Sequence, residues 1–372
     1  LLSPLDRIHD QYDRAQAKVK RAMQFVNTRS GKRCRPESSF QRAPGYFTKG
    51  QRSPIITPHR QITFPRMKTI FAALLLALST LGHAANYAEL VAFGDSLTDM
   101  GNRSVAPNKP DMQFRETWVA QLAKPAMLNV LGFKPSGMSF YYGGTNYAVG
   151  GSTTEYTAKM GSDRNRGQNL TQQVSKRYLN PAFNTDGVKK DALHVIVIGT
   201  NDLMLASISP EQIFSQWADL EKVGAAVAQS TEGQIQALAS AGVTHVLWGN
   251  VFNIAQSPSV IAKARLLGGA EAPTYFAALT KAAVAHNHEM DAAIVRLEKA
   301  NPALKIIKLD LFSKFAEVAT DPAKYGFTDV TSGANDGKHL FSADGLHPSP
   351  LGHHMLAAYA FEVLTALRVG GE

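Results

Sequence analysis

From residue 86 onward the apolar positions fall into two rhythms. Short, nearly continuous apolar runs occur at Leu90–Phe93, Asn146–Val149, Leu193–Ile198, Val243–Trp248 and Leu304–Leu309. The first four run into glycine, at Gly94, Gly150-Gly151, Gly199 and Gly249. Runs of this length and composition predict buried strands. Between them, helical patterning covers Thr117–Ala123, Gln168–Tyr178, Pro210–Gln229, Gly233–Ser240, Thr274–Ala300 and Pro350–Leu367. Strand and helix in alternation predict one α/β domain over residues 86–372. The expected form is a three-layer α/β/α sandwich around a central, mostly parallel five-stranded sheet. In such sheets ligands bind beyond the carboxyl ends of the strands, so the glycine-terminated runs are where chemistry is expected.

The first 85 residues follow neither rhythm. Residues 1–66 are rich in Arg, Pro, Ser and Gln; residues 12–26 are compatible with a short helix and 29–66 read as disordered. Met67-Lys68, the apolar stretch Ile70–Leu78 and the small-residue exit Gly82-His83-Ala84-Ala85 have the three-part layout of a secretory signal peptide. The apolar stretch is too short to span a bilayer. The expectation is that translation begins at Met67, that residues 1–66 are an upstream extension, and that the mature chain starts near Ala85. That mature chain would be secreted or periplasmic in a bacterium.

Charge agrees with this division. The whole chain carries a net +9, but residues 1–66 hold 14 Lys/Arg against 4 Asp/Glu, and residues 67–372 hold 25 against 26. The bulk of the protein is near neutral, so no nucleic-acid surface is implied. Cys34, the single cysteine, lies in the extension. The mature chain therefore has no disulfide, thiolate metal site or cysteine nucleophile.

Four short blocks carry candidate chemistry. Ser96, in Phe93-Gly94-Asp95-Ser96-Leu97-Thr98-Asp99-Met100-Gly101-Asn102, follows the first strand. At a strand-to-helix turn its hydroxyl is exposed and its N–H is near a helix N-terminus. Asp344-Gly345-Leu346-His347 places a carboxylate three residues before an imidazole, as a serine's base and its orienter require. Asn201, in Gly199-Thr200-Asn201-Asp202, can aim an amide into the same crevice, and Gly150-Gly151 offers unencumbered N–H groups. Singly, each block has a plainer explanation: a helix cap at Ser96, a turn with a surface histidine, a turn at Asn201, a tight turn at Gly151.

Together, in this order, FGDSLTDMGN (93–102), NYAVGGS (146–152), GTND (199–202) and DGLHP (344–348) resemble the GDSL, or SGNH, hydrolase family over about residues 88–367. Tyr325-Gly326-Phe327 before FSADGLHP is similar to secreted bacterial members and to autotransporter esterase passenger domains. The chain is expected to act as a free enzyme, without a membrane barrel. The glycine block continues Ser152-Thr153 where many relatives carry alanine, a small departure. The resemblance implies Ser96 as nucleophile, His347 as general base and acid, and Asp344 as its orienter. It implies an oxyanion hole of the Ser96 and Gly151 N–H groups and the Asn201 side chain. The choice of Gly151 over Gly150 is open by one residue. Asp95 and Asp202 are read as structural partners of nearby backbone.

Competing constellations are weaker. No Gly-x-Ser-x-Gly elbow occurs. His286 and His288 are two apart, on different sides of a helix, and no His-Glu-x-x-His motif forms. His353-His354 are expected on a solvated face or behind the catalytic histidine, and Gly143-Gly144 with Gly150-Gly151 make no dinucleotide fingerprint. The implied function is hydrolysis of carboxylic, lipid-like esters through an acyl-enzyme, without metal or organic cofactor. The alternatives are a phospholipase, lysophospholipase or lipid acyltransferase, a polysaccharide deacetylase and, more remotely, a non-catalytic binding module. The expected partner is a small-molecule or lipid ester, with transient lipid-surface contact and no stable membrane insertion. Met112, Phe114, Trp118 and Phe140-Tyr141-Tyr142 are candidates to line an acyl site, with core packing the alternative for Trp118.

Overall fold

Four five-residue strands form the sheet: β1 (Leu90–Gly94), β2 (Leu193–Val197), β3 (His245–Gly249) and β4 (Lys305–Leu309). They lie in that order and are all parallel, with Ala92 beside Val195, Val195 beside Leu247 and Leu247 beside Ile307. The computed structural model describes residues 87–103, 117–136, 143–157, 168–208, 219–267 and 272–369. The chain divides into two units, Leu1–Met67 and Lys68–Glu372, and every described residue belongs to the second. The expected signal segment, Cys34, Met112, Phe114 and Phe140-Tyr141-Tyr142 lie outside the described residues.

Successive strand side chains point to opposite faces. Leu90, Ala92, Leu193, Val195, Val197, Leu247, Ile307 and Leu309 accordingly pack into one apolar cluster. Val91, Phe93, Ile196, Val246, Trp248 and Ile306 pack into another. Both faces are covered, which is why the strands read as continuous apolar runs. The first cluster is closed by Trp118 and Val119 of α1 (Trp118–Leu122), by Phe315, and by Leu356 and Ala360. The second is closed by Val174 and Tyr178 of a π-helical segment, Gln172–Tyr178, and by Ile235, Leu238, Met290 and Leu297. Three layers result.

Among the described residues the longer helices are α2 (Thr200–Ile208), α3 (Leu220–Ser240), α4 (Pro258–Leu267), α5 (Ala272–Ala300), α6 (Leu311–Thr320) and α7 (Pro350–Val369). The two helices expected over 210–229 and 233–240 are one continuous helix from Leu220, because Gly233 stands in open space and is tolerated inside α3. Residues 209–218 lie outside the described set. Helices α2, α4 and α6 were not expected from the sequence; each has only nine or ten residues, too few for its periodicity to stand out. Between α6 and α7 a two-stranded parallel pair, β5 (Asp329–Gly333) and β6 (His339–Phe341), leads into the Asp344–His347 loop.

The remaining expected strand, Asn146–Val149, runs along the edge of β1 but pairs through isolated parallel bridges, Asn146 with Ala92 on one side and with Pro135 on the other. Ala92 donates to the Thr145 carbonyl at 2.9 Å, and Tyr147 and Val149 donate to the Ala92 and Gly94 carbonyls at 2.7 and 3.0 Å. On its outer side the Asn146 N–H donates to the Lys134 carbonyl at 3.1 Å and the Asn146 carbonyl accepts the Ser136 N–H at 2.8 Å, while the Asn102 side chain, from the loop after β1, donates to the Asn146 and Ala148 carbonyls. The segment after β1 therefore lies on one side of it and β2 on the other. Strand order reverses there, and the carboxyl ends of β1 and β2 flank the crevice.

Candidate active site

β1 ends at Gly94, whose φ of +141° and close approach to β2 exclude a side chain: a Cβ there would sit 2.1 Å from the Val197 carbonyl oxygen. The Gln173 side chain accepts from the Gly94 N–H and donates to the Gly94 carbonyl, both at 2.8 Å. The chain then closes one tight turn, with Thr98 and Asp99 donating to the Asp95 carbonyl at 3.1 and 3.0 Å. Ser96 stands half-buried on this turn. Among the described residues no helix begins between Ser96 and Arg103, so the expected helix N-terminus is not found beside Ser96; Asp99, Asn102 and Arg103 are instead tied to the glycine block.

The opposite wall is the loop after β6. Asp344 Oδ1 accepts from the Ser342 hydroxyl at 2.9 Å and from the Leu346 and His347 N–H groups at 2.8 and 3.0 Å. Its Oδ2 accepts from His347 Nδ1 at 2.5 Å. A carboxylate only accepts, so Nδ1 carries the proton and Nε2 is left as an acceptor. Nε2 faces the Ser96 hydroxyl at 2.8 Å across 251 residues of sequence. Partial burial alone would raise the Asp344 carboxyl. The His347 ring and the backbone N–H groups outweigh it and hold Asp344 well below the usual carboxylate range.

Asn201, in the first turn of α2, donates its amide to the Ser152 carbonyl at 3.0 Å. Asn201, Ser96 and His347 line one small, solvent-open cleft, whose apolar walls are Leu97, Met204, Phe252 and Leu346. Gly151 has φ +81° and precedes the carbonyl that Asn201 binds. The Gly150 N–H is occupied, donating to Asp99 Oδ2 at 2.7 Å. Asp99 also receives the Gly101 and Asn102 N–H groups at 2.8 and 2.6 Å.

Asp95 and Asp202 are fully buried beside this cleft. Asp95 receives the Leu97 N–H at 3.0 Å, and burial pushes it up to about 7. Asp202 receives the Thr154 and Thr157 hydroxyls at 2.7 and 2.5 Å, and burial pushes it up to about 6 against these bonds. His353 is buried, not solvated: its Nδ1 accepts the Trp118 N–H at 3.2 Å, and burial lowers it to about 3. His354, its neighbour, is exposed and meets Gln121. Trp118 is core and is 2% exposed. His286 is buried with Nδ1 on Asn287. Among the described residues, no group of three or more His, Cys, Asp or Glu side chains is placed to hold a metal ion.

Sequence reasoning did not find Gln173. It lies between the buried Leu170, Val174 and Tyr178, so its signal was one polar residue on an apolar face. Asn102 stands in the serine block without a role that its sequence position reveals. It donates to the Asn146 and Ala148 carbonyls at 2.7 and 2.8 Å, while Asn146 donates to the Thr98 carbonyl at 2.8 Å. The serine and glycine blocks are thereby stitched together.

A serine, imidazole and carboxylate in hydrogen-bonded series, at the strand-order reversal of a parallel α/β sheet, define a hydrolase-type site. Residues 90–360 match the GDSL-like lipase/acylhydrolase family, and the chain belongs to that family. It is 25% identical over 370 residues to Lipase 1 of Photorhabdus luminescens, covering 80% of this chain and 53% of the relative. The chain thus spans about half that relative's length. A solved extracellular lipase of Streptomyces rimosus shares 15% identity at a TM-score of 0.37, over 75% of this chain and 98% of that one.

Proposed function

We propose that this family hydrolase cleaves carboxylic esters with lipid-like acyl groups through a serine acyl-enzyme. The observation that carries the reading is the unbroken series Asp344–His347–Ser96 opening onto a cleft with apolar walls. In this reading Ser96 Oγ bonds to the ester carbonyl carbon while its proton passes to His347 Nε2. The carbonyl electron pair moves onto oxygen, which receives hydrogen bonds from the Ser96 N–H, the Gly151 N–H and the Asn201 amide. Because Asp99 occupies the Gly150 N–H, Gly151 is the donor assigned from the glycine block. Collapse breaks the bond to the alcohol oxygen, which takes the proton from His347. Water then repeats the sequence and releases the acid. Asp344 holds the Nδ1 tautomer and balances the imidazolium that forms.

Lipid-like acyl groups are favoured by Leu97, Met204, Phe252 and Leu346 beside Ser96, and by the name lipase borne by the Photorhabdus relative. Action outside the cytoplasm rests on the Met67–Ala85 pattern. A panel of p-nitrophenyl esters of rising chain length, beside a lysophospholipid and an acetylated polysaccharide, tests the substrate class. The expected result is turnover of acyl esters that is lost in Ser96→Ala. Turnover confined to the polysaccharide, or no turnover of any ester by folded protein, would contradict the proposal.

A further inference from the structure

Along the segment bordering β1, the backbone alternates between two neighbours. The Tyr147 and Val149 N–H groups point to β1. The carbonyls on the same two peptide planes, those of Asn146 and Ala148, accept from Asn102 on the other side. A trans peptide directs its C=O and N–H oppositely. Where the extended chain gives way to a turn, the next carbonyl of interest is on the peptide that joins Gly150 to Gly151. Its carbonyl accepts from Arg103 Nη1 at 2.6 Å. Its N–H, that of Gly151, is therefore turned away from Arg103, within a turn that the Ser152 N–H closes on the Val149 carbonyl at 3.0 Å. The preceding Gly150 N–H points back and is held by Asp99, whose same oxygen receives the Arg103 N–H at 3.2 Å.

We infer that Arg103 is a positioning residue for the oxyanion site. The inference rests on the assignment of Gly151 as a donor. Two adjacent glycines, one at φ +81°, give this peptide little intrinsic preference for one orientation. Arg103 supplies the missing constraint from outside. Its stem lies over Gly150, with Cδ 3.1 Å from where a Cβ at that position would be. Its guanidinium holds the carbonyl by a charge-assisted bond. The same bond draws electron density toward the carbonyl oxygen and makes the Gly151 N–H a stronger donor. Arg103 touches no substrate; it acts through the peptide it binds. Its side chain is exposed, so its removal should disturb the fold little.

The test is steady-state kinetics of Arg103→Ala, Arg103→Gln and Arg103→Lys, with affinity for a trifluoromethyl ketone whose adduct with serine carries an oxyanion. Arg103→Ala should lower kcat about tenfold, short of the 10²–10³ lost with a whole oxyanion donor. KM should change less than twofold, the pH profile should keep its shape, and the ketone should bind about tenfold more weakly. Arg103→Lys should recover part of the loss, because a cation remains while the planar fork is gone. Wild-type kcat and ketone affinity in Arg103→Ala would overturn the inference, as would a loss no larger than the unfolded fraction seen by melting. If Arg103→Ala does not fold, Arg103→Gln carries the same comparison. Asn201→Ala is measured alongside. If it keeps full kcat, the oxyanion reading itself has failed. If it loses kcat while the Arg103 variants do not, only the role of Arg103 has failed.

Discussion

Two aspartates beside the same serine are driven in opposite directions by their surroundings. Asp344 is partly exposed and receives four hydrogen bonds, so its charged form is favoured. Asp95 is sealed in, and its one hydrogen bond from Leu97 does not offset desolvation, so its neutral form is favoured up to about pH 7. Between the ordinary aspartate range near 4 and about 7, the native protein holds a proton on Asp95 that the unfolded chain has released. Asp95 thus supports stability below the unfolded value, and that support is lost as pH rises through about 7. Asp95→Asn keeps the acceptor for Leu97 and removes the titration. The variant should gain stability relative to wild type as pH rises from about 4 to 7, with the difference levelling off above. Urea unfolding of both proteins across that range measures it. A difference that stays flat with pH would show that Asp95 is ionised in the native state throughout. The buried histidines His194, His286 and His353 titrate in both proteins and cancel from the difference.

At the scale of elements, the π-helical segment Gln172–Tyr178 does two jobs. Val174 and Tyr178 cover the second face of the sheet. Gln173 closes the end of β1, and its Nε2 also lies 3.1 Å from the Ser152 hydroxyl and 3.0 Å from the Gln168 carbonyl. π-Helical turns recur at functional sites because the extra residue re-aims a side chain. Gln173→Met keeps the length and drops both bonds to Gly94. Leaving a buried N–H short of its acceptor costs about 1–3 kcal/mol. With the weakened carbonyl bond added, Gln173→Met should lose about 2–4 kcal/mol in denaturant unfolding. A loss below about 0.5 kcal/mol would mean that the end of β1 holds without Gln173. The four parallel strands were legible because both their faces are apolar and three end at glycine. Asn146–Val149 was legible as extended chain, but not its bridging between Ala92 and Pro135 or the bonds its carbonyls accept from Asn102. The π-helical turn was not legible, since its residue spacing differs from a helix by one position. Nor was the turn after Ser96, because a cap before a short turn and a cap before a helix use the same residues.

Across the whole molecule, the sequence brought Ser96, His347 and Asp344 into view before any contact was known. Each lies in a block at the end of a strand or pair, and the parallel sheet sends those ends to one side. What the blocks did not reveal is the frame between them: Gln173 on Gly94, Asn102 across to 146 and 148, Asp99 and Arg103 on either side of Gly150. These are bonds across 44 to 79 residues that no local pattern announces. That frame fixes the end of β1 and the glycine block around the turn on which Ser96 meets an imidazole 251 residues away. The central claim is that Ser96 forms the covalent intermediate. Intact mass and peptide mapping after treatment with a fluorophosphonate measure this most directly. The account predicts one adduct per chain, on Ser96, with activity lost in proportion to labelling, and none on a folded Ser96→Ala variant. An adduct on another residue, or labelling and ester turnover that persist in Ser96→Ala, would contradict it.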